Sequence, residues 1–201
     1  MEVHDLTSEH IEPFNDDGSW RSDVFYEVLG TSYVSIALNA ARLADPTAKL
    51  YINENNIEQP GAKATAMLNL VTSLKGTDVP LDGVGFECHL IVGEFSPWDL
   101  QNNLAAFAAR DIEVAITELD IRMTLPSTAA LLAQQKIDYA NVVTACIEVE
   151  GCVGITVWDW TDKYSWIPSA YPGQGAACPW DEVSAVYGVQ SPPLTSHSTE
   201  P

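Results

Sequence analysis

Basic residues are scarce in this chain. Lys and Arg number 9 against 28 Asp and Glu, giving a formal charge of −19 and a pI near 4.2. Such a field repels phosphate backbones and anionic bilayer surfaces, so neither a nucleic-acid partner nor a membrane partner is expected. No apolar run reaches the ~18 residues that a spanning helix needs. The opening MEVHDLTSEH has neither a basic start nor an apolar core, so it does not read as a signal peptide. No G-x-G-x-x-G turn follows a strand and no Walker motif occurs, which removes the usual marks of a nucleotide site. There is no C-x-x-C pair and no paired His motif, so neither a structural zinc site nor another cofactor is expected.

What is present is a globular composition. Hydrophobic residues make up 46%, with 6 Trp and 7 Tyr, too many for a disordered acidic tail. The four cysteines are Cys88, Cys146, Cys152 and Cys178. Cys146 and Cys152 flank IEVEG, a spacing that a local disulfide can close, and an acidic, Lys-poor, Trp-rich chain with such a pair reads as extracellular. The bland alternative is a cytosolic protein with four inert thiols.

Apolar residues recur at helical spacing from Val24 to Ala44, and Asp45-Pro46 stops the helix. AKLYIN then reads as a strand and KATAMLNLVTSLKG as a helix. The pattern repeats: strand GVGFECHL, helix SPWDLQNNLAAFAARD opened by Ser96-Pro97, strand IEVAITELDI, a long helix opened by Ser127, and strand CVGITVWDW. Near-continuous apolar strands alternating with helices imply a parallel α/β sheet, either open and doubly wound or a (β/α)8 barrel. The last stretch, residues 189–201, is polar and Pro-rich and reads as a disordered tail.

In both architectures the carboxyl ends of the strands converge on one face. Those ends carry Tyr51, Asn53 and Glu54; Glu87 and His89; Glu118 and Asp120; Trp158, Asp159 and Trp160. Carboxylates beside large aromatics suit glycoside hydrolysis, in which an acid protonates the leaving oxygen and an anion faces an oxocarbenium-like centre while indoles stack on sugar rings. Glu118 follows the apolar run VAIT and is the sharpest candidate; the plain alternative is a strand-end acid that caps a helix or pairs with Arg122. His89 reads either as a hydrogen-bonded core histidine or as a group orienting Glu118. A metal cluster of Glu87, His89, Glu118 and Asp120 is a further reading. Trp158 and Trp166 read as core residues or as sugar platforms.

The words KLYIN, GVGFECHL, VAITELDIRM and GITVWDWTDKYSW, in this order and over about residues 12–182, resemble glycoside hydrolase family 10, the endo-1,4-β-xylanases. The resemblance implies a (β/α)8 barrel that cuts internal xylan bonds with retention, without a cofactor, and a secreted enzyme. It implies an incomplete barrel, strands four to eight, over residues 12–188, with a divergent segment 1–11 and no counterpart of the first three βα units. It also implies that Glu118 is the nucleophile, its carboxyl partner ~5–5.5 Å away as retention requires. His89 and Asp120 match groups that hydrogen-bond around that nucleophile. Trp158 and Trp166 match the indoles walling the glycone side, and Tyr51 and Asn53 lie toward the aglycone side. Glu12, in EHIEPFNDDGSW, matches the acid/base, and Cys146 and Cys152 match a local disulfide.

Five departures accompany the likeness. Ile11 stands where the family has Asn, Glu87 where many members have Gln, and Asn55 where many have Tyr. HDLTSEH does not look like the family's strand, and after CPWDE the chain leaves the family wording. The implied partner is xylan or a xylo-oligosaccharide, taken by a monomer where the barrel is complete. Two other functions stand beside this one: an inert remnant that binds xylan without cutting it, and an unrelated metal-dependent barrel hydrolase using the His89 cluster.

Overall fold

The structure, a computed structural model, describes residues 3–5 and 12–182. The expected tail at 189–201, and the divergent segment 1–11 apart from residues 3–5, lie outside the described residues.

The elements alternate as the sequence pattern predicts. Parallel strands β1 (Val3–Asp5), β2 (Lys49–Glu54), β3 (Gly83–Phe86), β4 (His89–Ile91), β5 (Glu113–Thr124) and β6 (Cys152–Val157) are joined by helices α1 (Val24–Leu29), α2 (Tyr33–Ala44), α3 (Ala62–Gly76), α4 (Pro97–Ala108) and α5 (Ala129–Ile147). A short helix α6 (Ile167–Ala170) and a two-residue strand β7 (Gln174–Gly175), antiparallel to the end of β5, follow. β1 pairs with β2, β2 with β3, and β3 and β4 pair with successive stretches of one edge of β5, whose other edge takes β6. These are five consecutive strand positions of an incomplete (β/α)8 barrel.

Alternation along the strands sorts the two faces. Leu50, Ile52, Val84, Phe86, Val114 and Ile116 join Leu38, Met67, Val71, Leu100, Leu104 and Phe107 of the helices in one buried core. Each such side chain contributes about 1.5–3 kcal/mol when fully buried. The intervening residues Tyr51, Asn53, Gly83, Gly85 and Ala115 stay out of that cluster. Apolar burial therefore fixes the register, and the register decides which polar groups meet on the other face.

Four details depart from the pattern. Val3–Asp5 is a strand, where HDLTSEH gave no strand signal; three residues are too few to show a period, and parallel pairing to Lys49–Tyr51 needs only backbone groups. The single helix expected over Val24–Ala44 breaks into α1, a 3-10 turn at Gly30–Ser32 and α2. Gly30 adopts φ 60° and ψ −155°, a backbone conformation open to glycine that the helix cannot continue through. GVGFECHL, expected as one strand, splits at Glu87–Cys88, where Cys88 takes φ 62° and its N–H donates to buried Glu58 at 2.9 Å. Finally, Thr128 caps α5, where the sequence pointed to Ser127; Ser96 caps α4 as expected.

Candidate active site

The carboxyl end of β2, the first residue of β4 and the middle of β5 place an amide, an imidazole and a carboxylate together. Glu118, buried on β5, accepts a hydrogen bond from Asn53 Nδ2 at 2.9 Å. The Asn53 carbonyl in turn accepts from Thr117 Oγ1 at 2.6 Å, which directs the amide N–H toward Glu118. The space between them is kept by Gly85: a Cβ there would lie 2.0 Å from Asn53 Oδ1.

His89 stands opposite Asp120 in the β4–β5 register. Its Nδ1 lies 3.0 Å from Asp120 Oδ2 and its Nε2 lies 3.3 Å from Glu118 Oε2. Trp166 Nε1 donates to the same Asp120 oxygen at 2.8 Å, and the Trp166 backbone N–H donates to Asp159 at 3.1 Å. A chain of contacts thus runs from Asp159 through Trp166, Asp120 and His89 to Glu118. Burial opposes charge on His89, but hydrogen bonds to Asp120 and Glu118 prevail and lift it to about 10. A cation therefore faces Glu118 at neutral pH. Glu87 Oε2 lies 3.7 Å from His89 Nε2. Burial, aided by the charges of Glu118 and Glu12, pushes Glu87 up to about 8, so it is largely neutral beside Glu118.

Glu12 belongs to a second, adjoining group. Asn55 Nδ2 donates to Glu12 Oε1 at 2.7 Å, Arg21 forms an ion pair with Oε2, and Lys63 Nζ lies 3.7 Å from Oε2. Lys63 is itself buried, 2.8 Å from Glu54 Oε1 and 2.7 Å from Asn55 Oδ1. Glu54 is fully buried, and burial outweighs Lys63 to push it up to about 7. The charge of Glu12 acts on both Glu54 and Glu87, which ties the two groups together electrically.

Of the residues singled out in the sequence, Glu118, His89, Asp120, Glu87, Asn53 and Trp166 come together, and Glu12 joins them through its field. Trp158 helps line a cavity of about 410 Å³ with Asn53, Thr117 and Glu118. Tyr51 shares that cavity, but its hydroxyl donates to Glu113 at 2.5 Å, at the amino end of β5. Its ring packs against Gly83, where a Cβ would lie 2.4 Å from it. Asn53 donates to Glu118. Arg122 does not pair with Glu118; it donates to Gln174 and the His89 carbonyl and lies 4.1 Å from the Tyr171 ring centroid. Cys146 and Cys152 form a disulfide, while Cys88 and Cys178 are free and buried.

The family model "Glycosyl hydrolase family 10" matches residues 4–186. The chain belongs to glycosyl hydrolase family 10. Among relatives of this family, "Endo-1,4-beta-xylanase C" of Phanerodontia chrysosporium is 74% identical over 85% of the chain and 43% of the relative. The endo-1,4-beta-xylanase of Agaricus bisporus is 60% identical over 85% of the chain and 51% of the relative. The chain therefore spans about half the length of the curated relatives it matches. A solved glycosylated family 10 xylanase from Gloeophyllum trabeum superposes with a TM-score of 0.83 at 48% identity, covering 87% of this chain and 55% of that one. A family 10 xylanase from Bispora sp. MEY-1, solved with xylobiose, gives 0.82 at 42% identity over the same shares.

The family 10 site also uses residues that sequence reasoning passed over. Lys63 and Arg21 are two of only 9 basic residues; Lys63 reaches Glu54 from the first turn of α3, and Arg21 reaches Glu12 from the stretch before α1. A basic residue in so acidic a chain was the available signal, since each has many carboxylates to serve.

Proposed function

We propose that the chain carries the two catalytic carboxylates of a retaining endo-1,4-β-xylanase acting on internal bonds of xylan. The observation that carries this reading is the contact chain Asp159–Trp166–Asp120–His89–Glu118, closed on its other side by Asn53. It holds one carboxylate oxygen against a cationic imidazole and the other against an amide, so Glu118 is fixed before substrate arrives.

In this mechanism Glu118 attacks the anomeric carbon of a bound xylosyl unit as Glu12 gives a proton to the leaving oxygen. The C–O bond to the aglycone breaks and a covalent glycosyl ester forms on Glu118. Glu12, now ionised, takes a proton from water, whose oxygen attacks the same carbon and frees Glu118 with retained configuration. His89 balances the charge of Glu118 before attack and after release. Neutral Glu87 adds no repulsion there. Trp158 and Trp166 offer flat apolar faces to the sugars. The disulfide and acidic surface support secretion, and Glu12 and Glu118 lie on one chain, which supports action as a monomer.

Replacing Glu118 by Ala should abolish release of short xylo-oligosaccharides from xylan; unchanged release would overturn the assignment. A second reading, a remnant that binds xylan without cutting it, is favoured by one observation. β6 pairs only with β5 among the described residues, and its Val153 is 42% exposed. Calorimetry with xylohexaose separates the two, since heat of binding without products supports the remnant.

A further inference from the structure

We propose that Glu87, His89 and Glu118 form a binding site for a divalent transition cation, zinc foremost, that blocks the carboxylate centre. One donor atom from each residue lies within 4.8 Å of the other two. Nε2 of His89 is 3.3 Å from Glu118 Oε2 and 3.7 Å from Glu87 Oε2. Zinc bonds of about 2.0–2.2 Å to nitrogen and oxygen, at tetrahedral angles, require ligand separations of roughly 3.3–3.5 Å. Two of the three edges are thus nearly in place without a cation.

The surroundings orient each ligand. Asp120 holds Nδ1 of His89 and turns Nε2 inward, the carboxylate–histidine arrangement that steadies metal-bound imidazoles. Asn53 occupies Oε1 of Glu118 and leaves Oε2 for the cation. The Glu87 side chain is only 6% exposed, and its carboxylate makes no hydrogen bond among the described residues; its one ion-pair contact there is His89. It is a nearly buried carboxyl whose nearest charged neighbour is the His89 nitrogen at 3.7 Å, so it faces the same point. One imidazole with two carboxylates favours zinc or cobalt over calcium or magnesium, which prefer all-oxygen sets. Zinc enters by replacing the Nε2 proton of His89 and the carboxyl proton of Glu87, both of which pass to solvent.

Binding stands on this geometry alone, while the blocking effect rests on the reading of Glu118 as nucleophile. The test titrates the full chain with ZnCl2 by calorimetry, and follows the His89 ring by NMR in the unmodified protein. The expected result is a zinc-dependent shift of the His89 Nε2 signal and binding at least about tenfold tighter than MgCl2 or CaCl2. Glu87→Gln and His89→Gln should each weaken zinc binding by about tenfold or more. No saturable binding, an unmoved His89 signal, or unchanged affinity in Glu87→Gln would overturn the site. If zinc binds in this pattern but xylan hydrolysis continues undiminished, the blocking role falls. If instead Glu118→Ala still hydrolyses xylan while zinc shifts His89 in the unmodified chain, the nucleophile assignment falls and the cation site stands.

Discussion

Asn53 reaches across β3 to donate to Glu118 at 2.9 Å, and it can do so because Gly85 has no side chain. In Gly85→Ala the new Cβ would lie 2.0 Å from Asn53 Oδ1 and 2.8 Å from Thr117 Cγ2. The amide must move, and Glu118 loses a partner. We expect a folded protein, destabilised by roughly 1–3 kcal/mol, with kcat/KM on xylo-oligosaccharides down by about 10²-fold. Urea unfolding and steady-state kinetics check both parts.

Lys63 Nζ sits 2.8 Å from Glu54, and both side chains are buried. Lys63→Met keeps the volume and removes the charge, leaving a buried carboxyl without its cation. Breaking such a pair costs about 3–5 kcal/mol. Glu54 is lifted to about 7, so it can escape the cost by staying protonated at low pH. Urea unfolding should therefore show a larger loss at pH 8 than at pH 5. An equal loss at both would contradict the pairing.

Glu87 is raised from 4.5 to about 8, chiefly by burial. Between these values the folded chain keeps a proton that the unfolded chain has released, so this group makes stability fall as pH rises through that window. Glu87→Gln has no proton to hold and loses that slope. Relative to the unmodified chain, the variant should gain stability from pH 5 to pH 8, measured as the shift in urea midpoint. Parallel curves would show that Glu87 does not titrate with folding.

The fold was legible because strand and helix periods are written in apolar residues that pack. VAIT and GVGF carry their burial in plain sight, and β5 runs from Glu113 to Thr124 much as the pattern shows. Where apolar spacing did not decide the geometry, the sequence was silent. Gly30 breaks a helix whose spacing continues through it, and α1 buries none of its residues. Glu118, His89 and Asp120 were legible as strand-end polar groups. Lys63 and Arg21 were not, because only the fold brings the first turn of α3 and the stretch before α1 to Glu54 and Glu12. For Tyr51 the sequence shows its face of the strand but not its hydrogen bond to Glu113 on another strand.

The central claim, that Glu118 is the nucleophile of a retaining reaction, is tested most directly by trapping the covalent intermediate. The chain would be incubated with a 2-deoxy-2-fluoro xylobioside bearing a good leaving group, and its peptides weighed by mass spectrometry. The account predicts one added 2-deoxy-2-fluoroxylobiosyl group on the peptide containing Glu118, and none in Glu118→Ala. A label on another carboxylate would contradict it, as would an unlabelled chain that nonetheless releases xylo-oligosaccharides from xylan.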